Sequence, residues 1–275
     1  MRPAQYAAVL SMEIVLIGSG NVAHTFGHML ELSGHRIVQV ISRNPGHARE
    51  LADRLNAQHG TDLNDLSMDA DVYLLAVTDR AIPQLNETLR LGKRIAAHTA
   101  GSLPLSAISR ISTNTGVLYP LQSLRKDIKQ IRPIPMLVEA GDRGTLTRLR
   151  TLAESISPVV REIDSEHRMK MHLAAVICNN FANHMISLAA DYCRSESIDF
   201  DLLKPLLQET FDRADRYDPL DMQTGPARRH DRGTIDLQLE LLTQYPGLRD
   251  FYRMISDHIF HYYPDPDLQP EPGSN

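Results

Sequence analysis

The sequence predicts an α/β fold in which a doubly wound parallel-sheet domain is followed by an all-α C-terminal domain. Three observations carry that reading. From Glu13 to about Arg161, short β-branched runs alternate with longer amphipathic stretches, the rhythm of strands joined by crossover helices. After Arg161 only helical patterns follow, and the first strand-to-helix turn is rich in glycine. The division expected is 12–161 for the first domain, 162–263 for the helical one, and 264–275 for a disordered tail rich in Pro and acid (PDPDLQPEPGSN).

In chain order, the strand candidates are 13–17 (EIVLI), 36–41 (RIVQVI), 71–77 (DVYLLAV), 94–98 (RIAAH), 115–119 (TGVLY) and 134–139 (IPMLVE). Runs that are apolar almost throughout, such as Val72 to Val77, suit a sheet covered on both faces. Helices fit between them at 21–33, 45–58, 80–91, 104–110 and 143–155. Four more follow at 165–195, 199–216, 225–243 and 246–261.

Composition mainly excludes. The 275 residues are 42% hydrophobic, enough for a substantial core, and 29 basic against 34 acidic side chains give a net charge of −5. That balance lacks the basic excess of a nucleic-acid binder, and 5% aromatics with no Trp offers no stacking platform. Cys178 and Cys193 are too few for a disulfide framework or a cysteine zinc cluster. Reduced thiols, a cytoplasmic location and no bound metal are expected. No apolar run approaches the roughly 20 residues of a membrane span, and no signal peptide is expected. Residues 1–11 read as a frayed extension or a misassigned start ahead of Met12.

The strongest local signal is Gly18-Ser19-Gly20-Asn21-Val22-Ala23, between a predicted strand and a predicted helix. This is the dinucleotide fingerprint of the Rossmann fold in its G-x-G-x-x-A form. Gly18 allows the tight turn, Gly20 the approach of a pyrophosphate, and small Ala23 the packing of helix on sheet. Free N–H groups of Asn21 and Val22 at the helix start would face the anion. NAD sites usually carry an acid at the end of the second strand, but this chain reads Ile41-Ser42-Arg43-Asn44. Ser42 and Arg43 suit a 2′-phosphate, so NADP is expected ahead of NAD or a deazaflavin; the plainer reading of Arg43 is a solvated loop residue.

Val77, Thr78 and Thr99 fall at carboxyl ends of strands, where ligands bind in open α/β sheets, and would line the nicotinamide-ribose side. His98 is a candidate proton donor or a strand-end His bonded to backbone. The loop Tyr119-Pro120-Leu121-Gln122-Ser123 is placed to close the same crevice.

The segment His172 to His184 (HLAAVICNNFANH) carries amides and imidazoles through an otherwise apolar helix. At about 100° per residue, His172, Asn179 and Asn183 share a narrow sector with Asn180 beside it. The stripe either fixes helix packing or a dimer contact, or faces a wet cleft where Asn179, Asn180, Asn183 and His172 orient a carbonyl or imine and supply a proton. In Gln223-Thr224-Gly225-Pro226-Ala227-Arg228, Thr224 is a candidate N-cap, and Thr224 with Arg228 could alternatively hold an acidic substrate or the cofactor.

GSGNVA, AVTDRAI, HTAGS, YPLQS, HLAAVICNNFANH and QTGPARRHD, in this order, together resemble the Rossmann-like proteins with a DUF2520 C-terminal domain, over Met12 to about Tyr262. The resemblance implies a nucleotide domain akin to those of pyrroline-5-carboxylate reductase and the F420-dependent NADP reductases. It also implies a helical domain of 6-phosphogluconate dehydrogenase type, commonly paired across a homodimer. It brings no established substrate. β-Hydroxyacid dehydrogenases of the wider superfamily place a catalytic Lys shortly before an Asn, but Val176 stands four residues before Asn180 here and Lys170 lies too far upstream. The leading expectation is therefore a dimeric NADP(H)-dependent oxidoreductase acting on a small carbonyl or imine. The alternative is a non-catalytic NADP-binding sensor or interaction protein.

Overall fold

The structure, a computed structural model, describes residues 11–127 and 132–263; the expected disordered tail and residues 1–10 lie outside the described residues. The chain divides into two compact units between Ala182 and Asn183.

The first unit is built on an eight-stranded sheet: β1 (Glu13–Ile17), β2 (Arg36–Ile41), β3 (Gln58–Gly60), β4 (Val72–Leu75), β5 (Gly92–His98), β6 (Ser112–Pro120), β7 (Met136–Ala140) and β8 (Val160–Glu162). Their spatial order is β3-β2-β1-β4-β5-β6-β7-β8. The order reverses direction between β1 and β4, which opens a crevice at their carboxyl ends. Side chains alternate between two apolar cores. Ile14 and Leu16 enter one with α1 (Asn21–Leu32), α2 (Pro45–Arg54) and α4 (Arg143–Ile156), while Val15 and Ile17 enter the other beside α3 (Ile82–Thr88). The doubly wound sheet with helices on both faces is therefore present.

Several expected elements change. β7 runs antiparallel to β6, a pairing that needs no crossover helix, and none occurs among the described residues of 121–135. The helix expected to 58 stops at Arg54, where Asn56 turns left-handed (φ 50°) and the chain enters β3. The one expected over 104–110 is only a 3-10 turn, Leu105–Ile108, too short to nucleate an α-helix.

The long helix begins at α5 (Ser165–Ala175), capped by Asp164, passes through a π-helical segment, Val176–Phe181, and continues as α6 (Ala182–Ser195). The wider π-turn replaces the uniform 100° spacing assumed for the polar stripe. Ser165–Ser195 spans 31 residues and, with a best window of mean hydropathy 1.2, passes for a membrane span by length and composition alone. The expectation of no continuous apolar run of that length is not overturned, because Asn179, Asn180 and Asn183 interrupt the stretch.

The second unit holds the rest of α6, then α7 (Lys204–Arg216), α8 (Arg232–Leu241) and α9 (Pro246–Tyr262). Thr224 is not an N-cap: Gly225 (φ +103°) and His230 (φ 56°) keep 225–231 in turns, and Asp231 caps α8 by accepting from the Thr234 N–H.

Candidate active site

Gly18 follows β1 at φ +122°, and a Cβ there would run into the Ala76 carbonyl beyond β4, so both backbone and space demand glycine. Ser19 and Ser42 hydroxyls meet at 2.7 Å, tying the glycine loop to the end of β2. Gly20 is the N-cap of α1 and caps it with no side chain; a Cβ on it would meet nothing within 4 Å. The first N–H groups of α1 are thus left for an external acceptor, and no acidic residue occupies its first turn.

These residues line a cavity of about 470 Å³ together with Ser42, Arg43, Val77 and Thr78. A dinucleotide fits this donor set: phosphates at the loop and helix start, and a guanidinium at the ribose end. Asn44, His47, Thr61, Leu63, Leu85 and Thr88 extend the same cavity and were not anticipated. Thr61 follows β3, a three-residue strand with no apolar alternation, so the 58–63 segment carried no signal that it reaches this edge.

Three expected cofactor residues do not line the cavity. The Asn21 side chain accepts from the Lys126 N–H at 3.3 Å, Val22 packs against the core, and Thr99 is buried with its hydroxyl donating to the Leu75 carbonyl at 3.4 Å.

Further along the sheet edge a second group converges. Tyr119, at the end of β6, places its hydroxyl 3.0 Å from His172 Nδ1 on α5, with the rings edge to face at 5.9 Å. Gly101, in the loop after β5, fits beneath both: a Cβ would lie 2.7 Å from His172 Nδ1 and 2.8 Å from Tyr119 Cζ. In the same loop the Ser102 hydroxyl donates to the Asp79 carboxylate. Burial, reinforced by Asp79, raises the Tyr119 pKa above its ordinary value, against a smaller opposing effect of Arg168. In the sequence Tyr119 and Gly101 stand only within loop motifs, since nothing there pairs residue 119 with residue 172.

His98 is fully enclosed, and its Nδ1 accepts from the Ala100 N–H at 3.2 Å. Burial above all, then the Arg168 charge, lowers its pKa to about 4, so it stays neutral. It offers no open face to a substrate, and of its two expected roles the structural one matches this setting. Arg168, also fully buried, pairs with Glu139 of β7 and donates to the Leu103 carbonyl, fixing the start of α5 against the sheet.

Asn179 and Asn180 lie exposed on the π-helical segment, and Asn183 is exposed in the second unit. Thr224 borders a largely apolar cavity of about 630 Å³ within that unit, and the Arg228 guanidinium sits 5.3 Å over the Tyr263 ring.

Comparison with known proteins agrees with this layout. Residues 13–98 match the family model described as NADP oxidoreductase coenzyme F420-dependent, and 134–259 match the domain of unknown function DUF2520. A solved structure from Bacteroides fragilis, provisionally named an NADP oxidoreductase, is 35% identical, with 91% of this chain and 98% of that one covered and a TM-score of 0.86. The 1-pyrroline-5-carboxylate reductase of Streptococcus pyogenes (14% identical, 91% and 99% covered, TM-score 0.63) shares the fold. So does the reductive aminase of Aspergillus terreus, solved with NADPH and ethyl-5-oxohexanoate (14%, 90% and 88%, TM-score 0.61). Among curated proteins, 75 residues are 35% identical to human and chimpanzee protocadherin gamma-A3; the chain spans 8% of that protein's length. With the fingerprint loop, the switch-point cavity and full-length similarity in agreement, the chain belongs to the family of Rossmann-type NADP oxidoreductase-like proteins that carry a DUF2520 C-terminal domain.

Proposed function

We propose that this protein is an NADP(H)-dependent oxidoreductase that transfers hydride to or from a small carbonyl or imine. The observation that carries the reading is the switch-point cavity, with the uncapped start of α1 at one wall and Ser42 and Arg43 at another. The glycine loop and helix start hold the pyrophosphate, Arg43 holds the 2′-phosphate, and Thr78 stands towards the nicotinamide side. When bound, the dihydronicotinamide supplies the hydride. His172 lies at the end of the sheet where that ring is expected, with Asn179, Asn180 and Asn183 as groups for orienting substrate. Thr224 and Arg228 are offered as contacts for an acidic substituent.

The reading includes a cytoplasmic homodimer formed through the C-terminal helices, with no nucleic-acid or membrane partner. Exposed Leu173, Ile177, Phe181 and Met185 along the long helix, and the free thiols Cys178 and Cys193, support it.

The test is cofactor titration by fluorescence or calorimetry. Arg43→Ala should weaken NADPH binding by about tenfold or more, the loss expected of a charge-assisted hydrogen bond worth roughly 1.5–3 kcal/mol, and leave NADH affinity nearly unchanged. Equal losses for both cofactors, or none, would sink the NADP assignment. Tight NADPH binding without turnover of any carbonyl or imine would favour the sensor instead.

A further inference from the structure

We infer that the Tyr119 phenol, seated by His172 and Gly101, is the proton donor of the site, and that the hydride acceptor is a ketone or aldehyde. This rests on the NADP(H) reading above. Three features carry it. The Tyr119 hydroxyl and His172 Nδ1 are in hydrogen-bond contact at 3.0 Å. Gly101 leaves no room for a side chain between the loop after β5 and this pair, so the pair is held against the carboxyl edge of the sheet. With Arg43 fixing the ribose-phosphate end beside β2, a dinucleotide laid across the switch point carries its nicotinamide towards β5 and β6, where Tyr119 stands.

The hydrogen bond allows two directions. With Nδ1–H donating to the phenol oxygen, the phenol's own proton is free to point at a substrate. The carbonyl carbon then takes hydride from NADPH as the C=O π bond breaks. The carbonyl oxygen takes the Tyr119 proton, and His172 stabilises the phenolate left behind until a water proton restores it. The charged groups acting on Tyr119, Asp79 and Arg168, leave burial dominant, and the phenol holds its proton more tightly than usual. A developing alkoxide is basic enough to take that proton. An imine that is ready for hydride already carries its proton as the iminium and has no lone pair left to accept the Tyr119 O–H, whereas a carbonyl oxygen does accept it. In this scheme Tyr119 is the catalytic residue and His172 the positioning residue.

The experiment combines kinetics with a readout that needs no cofactor. Tyr119→Phe should cut kcat for aldehyde or ketone reduction by about 100-fold or more, the usual range for a lost general acid, with the NADPH Kd within about twofold of wild type. His172→Leu should lower kcat with KM held, and His172→Asn, whose amide N–H falls near the position of Nδ1, should recover part of it. In the cofactor-free protein, the tyrosinate absorbance difference between wild type and Tyr119→Phe isolates the Tyr119 titration, and His172→Leu should move it further up. Near-wild-type turnover by Tyr119→Phe overturns the proposal. So does turnover confined to imines, absence of carbonyl turnover at saturating NADPH, or a Tyr119 titration indifferent to His172→Leu. Failure to bind NADPH would overturn the cofactor reading instead, and the absorbance titration would still decide whether the pair is coupled.

Discussion

At the scale of single residues, Gly101 offers a test that separates the proposed cofactor binding from the proposed chemistry. It does not border the cofactor cavity, yet a methyl group on it would press on His172 and Tyr119 together. Gly101→Ala should therefore leave the NADPH Kd nearly unchanged while turnover falls with the loss of near-attack geometry, a comparison read from titration and steady-state rates on one preparation. Unaltered turnover would show that the pair tolerates displacement. His98 makes a second prediction, about stability. Its folded pKa of about 4 lies below the ordinary 6.5. Above pH 6.5 both folded and unfolded states hold the ring neutral; below it the unfolded chain takes up a proton that the folded one refuses. Stability should thus fall as pH drops from 6.5 towards 4, by up to about 3 kcal/mol for this one ring. Buried His24 and His35, also lowered by burial, act in the same direction. Urea midpoints at pH 7 and 5 check the trend, and His98→Asn should flatten it; an identical pH slope in the variant would rule His98 out as a source.

At the scale of elements, the Glu139–Arg168 pair decides how α5 is held. Arg168 has no exposed side-chain surface, so removing Glu139 strands a buried cation, a loss of about 3–5 kcal/mol, whereas an apolar replacement of both partners is better tolerated. Glu139→Gln and the double variant Glu139→Leu/Arg168→Met, compared by urea denaturation, should rank in that order. A double variant less stable than the single one would contradict it. The contrast between elements also explains what the sequence could reveal. β1 and β2 were legible to the residue because their side chains feed cores on both faces, and α1 because glycine fixes its start. β3 and β8 were not, being three-residue edge strands with exposed polar positions. The antiparallel turn to β7 and the π-turn at Val176–Phe181 depend on long-range packing that local periodicity does not encode. The site divided in the same way: Gly18, Ser42, Arg43 and Thr78 belong to local motifs, while Tyr119 reaches His172 across 53 residues of chain.

At the scale of the molecule, a net charge of −5 does not oppose the anionic cofactor proposed above, because Arg43 and helix N–H groups supply positive potential locally. Apolar exposure poses the larger question. Leu173 is 60% exposed, Phe181 57% and Ile177 54%, and in the second unit Leu202, Leu237 and Leu241 are more exposed still. Large side chains at such density are uncommon on a monomer's surface and mark a face that something covers. The second copy proposed above would cover such a face, and amides within the long helix suit a protein interface better than lipid, where each would need a partner. Light scattering at micromolar concentration should give twice the chain mass, and Leu173→Glu with Phe181→Glu should reduce it to one chain. A monomeric wild type would refute the dimer. Flotation of the wild type with lipid vesicles, abolished by the same two substitutions, would assign the face to a membrane instead.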